Sequence, residues 1–206
     1  MNKIIKNIIN IFLKMACVVL FLILSLYIGL WIYVTMSVPD DLKQQYEQSV
    51  VFDFSEEQYQ IIWFTLTENK DYRFKWYPFI IEFFLRDKKD EVDSIAATIL
   101  MFSDQKYIRS TSTLPTLHIE YGLTRYIRKN NNYKKCLSII TSVSYMGNGI
   151  NGIENASEYY YNKRFSEMTE KEWVSLVLLI VSPGRYEIGS IYSENKTNEI
   201  INKYNN

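Results

Sequence analysis

A long uninterrupted apolar stretch near the start of the chain limits the available folds more than any other feature. Residues 15–36 read MACVVLFLILSLYIGLWIYVTM and contain neither a charged residue nor a proline. A helix needs about 20 residues to cross the hydrocarbon core of a bilayer, and this stretch is long enough. The sequence therefore predicts a transmembrane anchor over residues 15–36, preceded by a cytoplasmic tail over residues 1–14.

The charges on either side of the anchor predict its orientation. Three lysines precede it with no acidic residue among them: Lys3, Lys6 and Lys14. Asp40 and Asp41 follow it, and the positive-inside rule then places residues 40–206 outside the cytoplasm. A cleaved signal peptide is the alternative, but its apolar region is usually shorter and ends in a small-residue cleavage site. No Ala-x-Ala follows this stretch, which favours an uncleaved, single-pass anchor.

The composition limits the ligands and catalytic groups that can be expected of this chain. The chain has 206 residues, and its 23 Lys plus Arg equal its 23 Asp plus Glu, so net charge gives no reason to bind nucleic acid. Cys17 and Cys136 would lie in different compartments, which leaves no disulfide framework or cysteine metal site to be inferred. His118 is the only histidine, and a lone histidine is more often structural. Acid–base chemistry would then depend on carboxylates.

The remainder of the chain predicts a mainly α domain. After a linker over residues 37–54, the sequence SEEQ at Ser55 has the pattern of a capping box that begins a helix to about Thr67. Five more helices are predicted, over residues 94–102, 110–129, 133–144, 154–163 and 173–182. A second capping box at Thr169 precedes the last of them. Alternating strand patterns and internal repeats are absent, so we expect one helical domain over residues 55–206.

Aromatic residues are concentrated in residues 72–84, which read YRFKWYPFIIEFF. Packing in the core is one explanation of this cluster. The other is an apolar surface seated at the lipid interface, where aromatic rings are favoured. The sequence leaves both interpretations open.

Glycine is also concentrated in one short segment. The chain has seven glycines, and three of them are Gly147, Gly149 and Gly152. Glycine permits positive φ and close approach of another backbone, so this segment must turn tightly or let another surface come near. Composition alone favours a helix-to-helix turn, and a loop that shapes a substrate groove is the functional alternative.

The order of residues around these glycines resembles a known family. Residues 145–154, YMGNGINGIE, resemble the segment Y-F-G-x-G-x-x-G-I-E of glycosyltransferase family 51, the peptidoglycan glycosyltransferases. The match continues in register at Ala156, at residues 160–163 (Y-F-G-K in the family), 168–172 (L-T-x-x-E) and 183–186 (P-x-R-Y). It is similar to a divergent monofunctional biosynthetic transglycosylase domain, covering roughly 55–205 and most specific after residue 120. A generic helical domain with chance similarity is the alternative.

Three further correspondences lie upstream. Glu120 falls at about the distance before Gly147 at which the family carries the glutamate of a K-x-x-E motif. Glu68 precedes Tyr72 and Phe74, where the family has E-D-x-x-F, and residues 97–99 could correspond to the S-T-I of its G-G-S-T-I-T-Q-Q motif. The resemblance implies a lysozyme-like helical glycosyltransferase domain in which Glu68 is the general base and Glu120 the second carboxylate, on the donor side.

The resemblance also implies a reaction. Members of this family polymerise lipid II: the 4-hydroxyl of one lipid-linked sugar attacks the anomeric carbon of another, and undecaprenyl pyrophosphate leaves. A carboxylate takes the hydroxyl proton, and cations near the leaving pyrophosphate lower the barrier. No cofactor is certain, and a divalent cation at the pyrophosphate is left open. The expected partners are the membrane, the lipid-linked peptidoglycan precursor and other cell-wall synthesis proteins, at the bacterial cytoplasmic membrane.

Several residues are expected to bind substrate. Arg125 and Lys129 share a helix face and could receive the phosphates, with a solvated helix surface as the alternative. The full expected set is Arg125, Arg128, Lys129, Gly147, Asn148, Gly149, Gly152, Glu154 and Arg185. No metal ligand is expected among them. If the chain is an enzyme, Glu68 and Glu120 should line one cleft, with Glu68 at the deeper end, where burial raises its pKa.

Other positions depart from the family pattern. Leu117 stands where K-x-x-E has its lysine, Lys75 where a histidine should follow Glu68, and Ser142 where the family has the asparagine of Y-L-N. Apolar residues near 100–102 replace the Q-Q of the middle motif. Two functions are therefore predicted. One is a membrane-anchored hexosyltransferase that polymerises lipid II, and the other is a pseudoenzyme that binds lipid-linked precursor, glycan or a cell-wall synthesis partner without turnover.

Overall fold

The computed structural model describes residues 3–71, 74, 92–103 and 115–206. Within these ranges it contains nine α-helices and, apart from one isolated bridge, no β-structure. The helices are α1 (Lys3–Met36), α2 (Asp40–Gln48), α3 (Glu56–Thr67), α4 (Val92–Ser103), α5 (Pro115–Asn130), α6 (Tyr133–Val143), α7 (Ile153–Tyr161), α8 (Glu170–Val181) and α9 (Ile191–Asn205). A short 3-10 helix, Phe165–Glu167, lies between α7 and α8. The prediction of a mainly α chain is confirmed, and the architecture is consistent with a lysozyme-like helical domain.

Helix α1 is longer than the predicted anchor. It runs from Lys3 to Met36, and its segment Ile8–Met36 is long and apolar enough to cross a membrane by length and composition. Helix α2 lies within the segment 37–54 that was predicted as a linker, directly after Pro39. Its Leu42 and Tyr46 are buried, so α2 packs on the domain rather than hanging free.

Both predicted capping boxes are present. At the start of α3, the Gln58 amide donates to Ser55 Oγ over 3.2 Å and the Ser55 amide donates to Gln58 Oε1 over 2.7 Å. At the start of α8, the Thr169 amide donates to Glu172 Oε2 over 2.8 Å, and the Glu172 amide donates back to Thr169 Oγ1 over 3.4 Å. A cap of this kind contributes about 1 kcal/mol, and here it fixes where each core helix begins.

The core is built around α8, whose residues 174–179 are all buried. A helix that is apolar on every side belongs inside a domain, and α8 packs against α3 on one side and α9 on another. Helix α4 packs against both α5 and α6. The main core takes side chains from α2 to α8, among them Leu42, Ile62, Ala96, Leu123, Ile140, Ala156 and Leu176.

The aromatic segment 72–84 lies almost entirely outside the described residues. Phe74 is the exception: it is buried, with its ring centroid 5.9 Å from that of Trp63. Packing in the core therefore accounts for Phe74. Lys75 and the predicted helix start over residues 110–114 also lie outside the described ranges.

Candidate active site

The glycine-rich loop joins α6 to α7, as predicted. Gly147, Asn148, Gly149 and Gly152 all have positive φ, at 87°, 50°, 78° and 81°. Three backbone hydrogen bonds close the loop: Met146 to Ile150 over 2.8 Å, Ile150 to Gly147 over 2.9 Å, and Gly152 to Ser144 over 2.9 Å. The prediction of a tight turn between two helices is confirmed.

Two of these glycines have a steric reason to be glycine. A Cβ on Gly152 would lie 2.5 Å from the Ser142 carbonyl oxygen, so a side chain there would push two backbone segments apart. A Cβ on Gly147 would lie 3.1 Å from Tyr160 Oη. That hydroxyl donates to the Met146 carbonyl over 2.9 Å and accepts from Asn148 Nδ2 over 3.2 Å. Gly147, Asn148 and Gly152 therefore hold the loop together.

Gly149 and Glu154 lie at the surface of the same loop. No atom lies within 4 Å of a Cβ built on Gly149, which borders a shallow depression that also includes Ile150, Asn155 and Tyr159. Glu154 is exposed in the first turn of α7, where a negative charge is favoured by the helix dipole. Both are accessible to a ligand.

Glu68 is the C-terminal cap of α3 and is held there by lysines from α9. Its side chain is 46% exposed, with Lys196 Nζ 3.1 Å from Oε1 and Lys203 Nζ 2.7 Å from Oε2. The hydrogen bond from Lys203, supported by that from Lys196, lowers the pKa of Glu68 below its ordinary value although partial burial opposes this. The expectation of a buried Glu68 with a raised pKa is therefore wrong, because Glu68 lies at an exposed helix end that faces two cations.

Glu199 completes a network of four charged side chains at this end of α3. Its Oε1 lies 2.9 Å from Lys196 Nζ and 2.8 Å from Lys203 Nζ. Hydrogen bonds from Lys203 and Lys196 lower the pKa of Glu199 to about 2. These lysines were not among the site residues predicted from the sequence. The signal available was their spacing, since Lys196, Glu199 and Lys203 share one face of a helix.

Arg185 is engaged by aromatic rings in the turn between α8 and α9. Its guanidinium carbon lies 4.9 Å from the ring centroid of Tyr192 and 5.7 Å from that of Tyr186, and the guanidinium donates to the Tyr192 hydroxyl. Burial raises the pKa of Tyr186, while the nearby charges of Arg185 and Lys196 oppose that rise. Arg185 thus lies against the rings of Tyr186 and Tyr192.

Glu120 lies in the middle of α5 and is half-buried. Its carbonyl accepts a hydrogen bond from Thr124 Oγ1 over 2.8 Å. On the same helix Arg125 is half-buried and Lys129 is exposed. Helices α3 and α5 both pack against α4, whereas a shared cleft for Glu68 and Glu120 stays a prediction.

Arg128 is turned into the protein. Its side chain is 0% exposed, and Nε and one terminal nitrogen each lie 2.6 Å from Asp93 Oδ2, on a side chain that is 1% exposed. A buried pair of this kind strongly resists loss of either partner, because the charge that remains would be uncompensated. The expectation of a phosphate ligand at Arg128 is corrected: its guanidinium ties α5 to α4.

The apolar replacements in the middle motif are explained by packing. Ala97, Leu100 and Met101 are buried in the core, and Thr98 Oγ1 donates to the Ser94 carbonyl over 2.8 Å. Leu117 lies in the first turn of α5, and its side chain is outside the described part. Among the side chains described, no group of three or more His, Cys, Asp or Glu residues could hold a metal ion.

The described residues combine a candidate membrane helix, a helical domain, a glycine-rich loop before α7 and carboxylates on α3 and α5, which is the arrangement that the resemblance to glycosyltransferase family 51 implies. The transglycosylase family model matches residues 96–205, just over half of the chain. The chain therefore belongs to the transglycosylase family, and the predicted resemblance is confirmed. Glu120 and the glycine loop lie within the matched residues, whereas Glu68 lies before them.

Curated relatives agree with this assignment. The chain is 26% identical over 109 residues to the biosynthetic peptidoglycan transglycosylase of Haemophilus influenzae, covering 52% of this chain and 40% of that protein. It is 29% identical over 72 residues to the biosynthetic peptidoglycan transglycosylase of Escherichia coli, covering 35% of this chain and 30% of that protein. The chain thus spans less than half the length of these relatives. No solved structure matches it.

Proposed function

We propose that this chain is a membrane-anchored peptidoglycan glycosyltransferase that polymerises lipid II on the outer side of the cytoplasmic membrane. The observation that supports this most is the family match over residues 96–205, which contains Glu120, the glycine loop and the P-x-R-Y segment at Pro183. A lipid-linked substrate lies in the bilayer, and the candidate membrane helix α1 would hold the domain beside it.

In the proposed reaction, a bond forms between the 4-hydroxyl oxygen of one sugar and the anomeric carbon of the next. The bond from that carbon to the pyrophosphate oxygen breaks, and the hydroxyl proton passes to a carboxylate. Glu68 is the carboxylate proposed to take the proton, and Glu120 is the one proposed to contact the donor. Because Arg128 is buried with Asp93, the pyrophosphate charge falls to accessible cations, for which we propose Arg125, Lys129 and Arg185.

A non-catalytic function in the same pathway is the second candidate, and the surroundings of Glu68 favour it. Two lysines neutralise Glu68 and lower its pKa, which makes it a weaker base. Four positions after Glu68, where the family motif E-D-x-x-F has its phenylalanine, the chain has Tyr72, and Asn69 stands where the motif has aspartate. In this function the domain binds lipid-linked precursor, glycan or a cell-wall synthesis protein without turnover.

The deciding experiment is glycan formation from fluorescent lipid II by the purified full-length protein in proteoliposomes, beside Glu120→Gln. Glu120→Gln removes the negative charge of the carboxylate proposed for donor contact, and it should lower the rate about 10²- to 10³-fold, as the loss of one electrostatic contact to a transition state does. Glu194→Gln is the matched control, because Glu194 is exposed in the first turn of α9 and should leave the rate unchanged.

The outcomes separate the two candidates. Polymer formed by the native protein and lost in Glu120→Gln supports the transferase. Saturable binding of lipid II without any polymer supports the non-catalytic function. If the native protein neither binds lipid II nor forms polymer, both candidate functions are rejected. If Glu120→Gln forms as much polymer as the native protein, the assignment of Glu120 is rejected.

A further inference from the structure

Helix α1 has two parts with different surroundings. From Ile8 to Leu26 every large apolar side chain is at least 49% exposed. Further along, Val34 is only 3% exposed and Tyr27 is partly buried, because this end of α1 packs against α5. The first part presents its side chains to its surroundings, whereas the second is part of a helix–helix interface.

At Gly122 the backbone of α5 approaches the end of α1 closely. A Cβ on Gly122 of α5 would lie 2.6 Å from the Val34 carbonyl oxygen and 2.6 Å from Val38 Cγ2. Glycine inside a helix costs about 1 kcal/mol relative to alanine, so its presence in α5 needs a packing reason. Small residues at a crossing let two helix backbones approach closely, and this contact supplies that reason.

Aromatic side chains extend the interface on both sides of the crossing. Tyr121 is buried against Val34 and Tyr27, and the rings of Tyr33 and His118 lie with centroids 5.4 Å apart. The contacting residues His118, Tyr121 and Gly122 flank Glu120 on α5. The position of the outer end of α1 therefore determines the position of the turn of α5 that carries Glu120.

We propose that residues 27–38, the outer end of α1 together with the two residues after it, are a structural part of the folded domain that docks on α5 at Gly122 and sets the height of Glu120 above the bilayer. The exposed stretch 8–26 rises about 28 Å at 1.5 Å per residue, close to the hydrocarbon thickness of about 30 Å. Lys14 lies in its cytoplasmic half, from which a long side chain reaches the headgroups. The aromatic residues from Tyr27 to Tyr33 then lie at the outer interface, where such rings are favoured.

The docked arrangement predicts a specific cross-link. In a Cys17→Ser background, a short thiol-reactive cross-linker should join Tyr33→Cys to His118→Cys in proteoliposomes. The pair Ile32→Cys and His118→Cys is the matched control, because a one-residue step turns the side chain by about 100° around the helix. Cross-linking of the first pair no faster than the control would overturn the proposal.

The second arm tests the role of Gly122. Gly122→Leu should slow the Tyr33–His118 cross-link at least about tenfold, because a side chain that meets a backbone oxygen cannot be relieved by a rotamer change. Gly29→Leu lies in the same α1 helix with no atom within 4 Å of its Cβ, and should leave the rate unchanged. If Gly122→Leu fails to fold, Gly122→Ala takes its place, and an unchanged rate in that folded variant would reject docking at Gly122.

The last measurement connects docking to activity. This step rests on the proposed function, whereas the cross-link does not. Folded Gly122→Ala should lose both polymerisation and the Tyr33–His118 cross-link. Glu120→Gln should lose polymerisation but still form the cross-link. Loss of the cross-link with full activity would show that docking does not position Glu120, and an inactive native protein that still cross-links would reject only the transferase.

Discussion

The glycine loop and the Glu68 end of α3 are held in place by different means. In the loop, backbone geometry decides: positive φ at Gly152 and a hydrogen-bonded turn leave space for almost no other residue. At Glu68, side chains decide, since Lys196 and Lys203 bind both carboxylate oxygens. The loop is thus held in shape by sterics, whereas Glu68 is held by ion pairs within the domain.

The buried Arg128–Asp93 pair gives the largest expected effect in this comparison. Asp93→Asn removes the buried negative charge that faces the Arg128 guanidinium, so we expect a loss of about 3–5 kcal/mol in the free energy of unfolding. The double variant Asp93→Leu/Arg128→Met should recover most of it, because apolar residues can replace a buried pair. Thermal and urea unfolding measure both. A cost under about 1 kcal/mol for Asp93→Asn would contradict the structural role of this pair.

The glycine loop gives the next effect in size. Gly152→Ala adds strain at positive φ to a clash with the Ser142 carbonyl, and should cost about 2–4 kcal/mol of unfolding free energy. Gly149→Ala has the same strain in open space and should cost about 1–2 kcal/mol. Gly184→Ala, which meets nothing within 4 Å, is the control. Equal costs at Gly152 and Gly149 would show that strain alone, rather than close approach, requires glycine there.

The Glu68 network gives the smallest effect, and it depends on pH and salt. The folded-state pKa of Glu68 is lowered, so its contribution to stability is present above its ordinary pKa of 4.5 and is lost as pH falls through the folded value. Because the side chain is about half exposed, that contribution should stay below about 1 kcal/mol and weaken with salt.

The measurement is the midpoint of thermal unfolding between pH 7 and pH 3. Between pH 7 and pH 3, the midpoint temperature of unfolding should decrease more in the native protein than in Glu68→Gln. Lys43→Gln, which removes an exposed ion pair with Asp40 on α2, controls for the loss of a surface charge. If Glu68→Gln and the native protein show the same acid dependence, the ion pairs of Glu68 contribute nothing to stability.

The features readable from sequence were those fixed by neighbours along the chain. Capping boxes at Ser55 and Thr169 located helix starts, and the glycine cluster located the turn before α7. Helix α9 was missed because its buried side chains are few, and its position depends on packing against α3 and α8.

The features that could not be predicted depend on residues far apart. Arg128 meets Asp93 35 residues away, and Lys203 meets Glu68 135 residues away. No spacing rule reports such pairs, so the sequence suggested a phosphate ligand at Arg128 and a buried base at Glu68. Both corrections arise from partners that only the folded chain brings together.

The contact of α9 with α3 has a consequence for biogenesis. Lys203 follows Glu68 by 135 residues, so at about 5–20 residues per second α3 waits on the order of ten seconds for its partner during synthesis. Until α8 and α9 have been made, Ile61 and Phe64 of α3 lack the apolar side chains of these helices that cover them in the folded domain. Exposed apolar surface of this kind is prone to aggregation, so the emerging chain needs protection until α8 and α9 have been made. Burial of this face of α3 is thus timed by the synthesis of α8 and α9, long after the candidate membrane helix has been made.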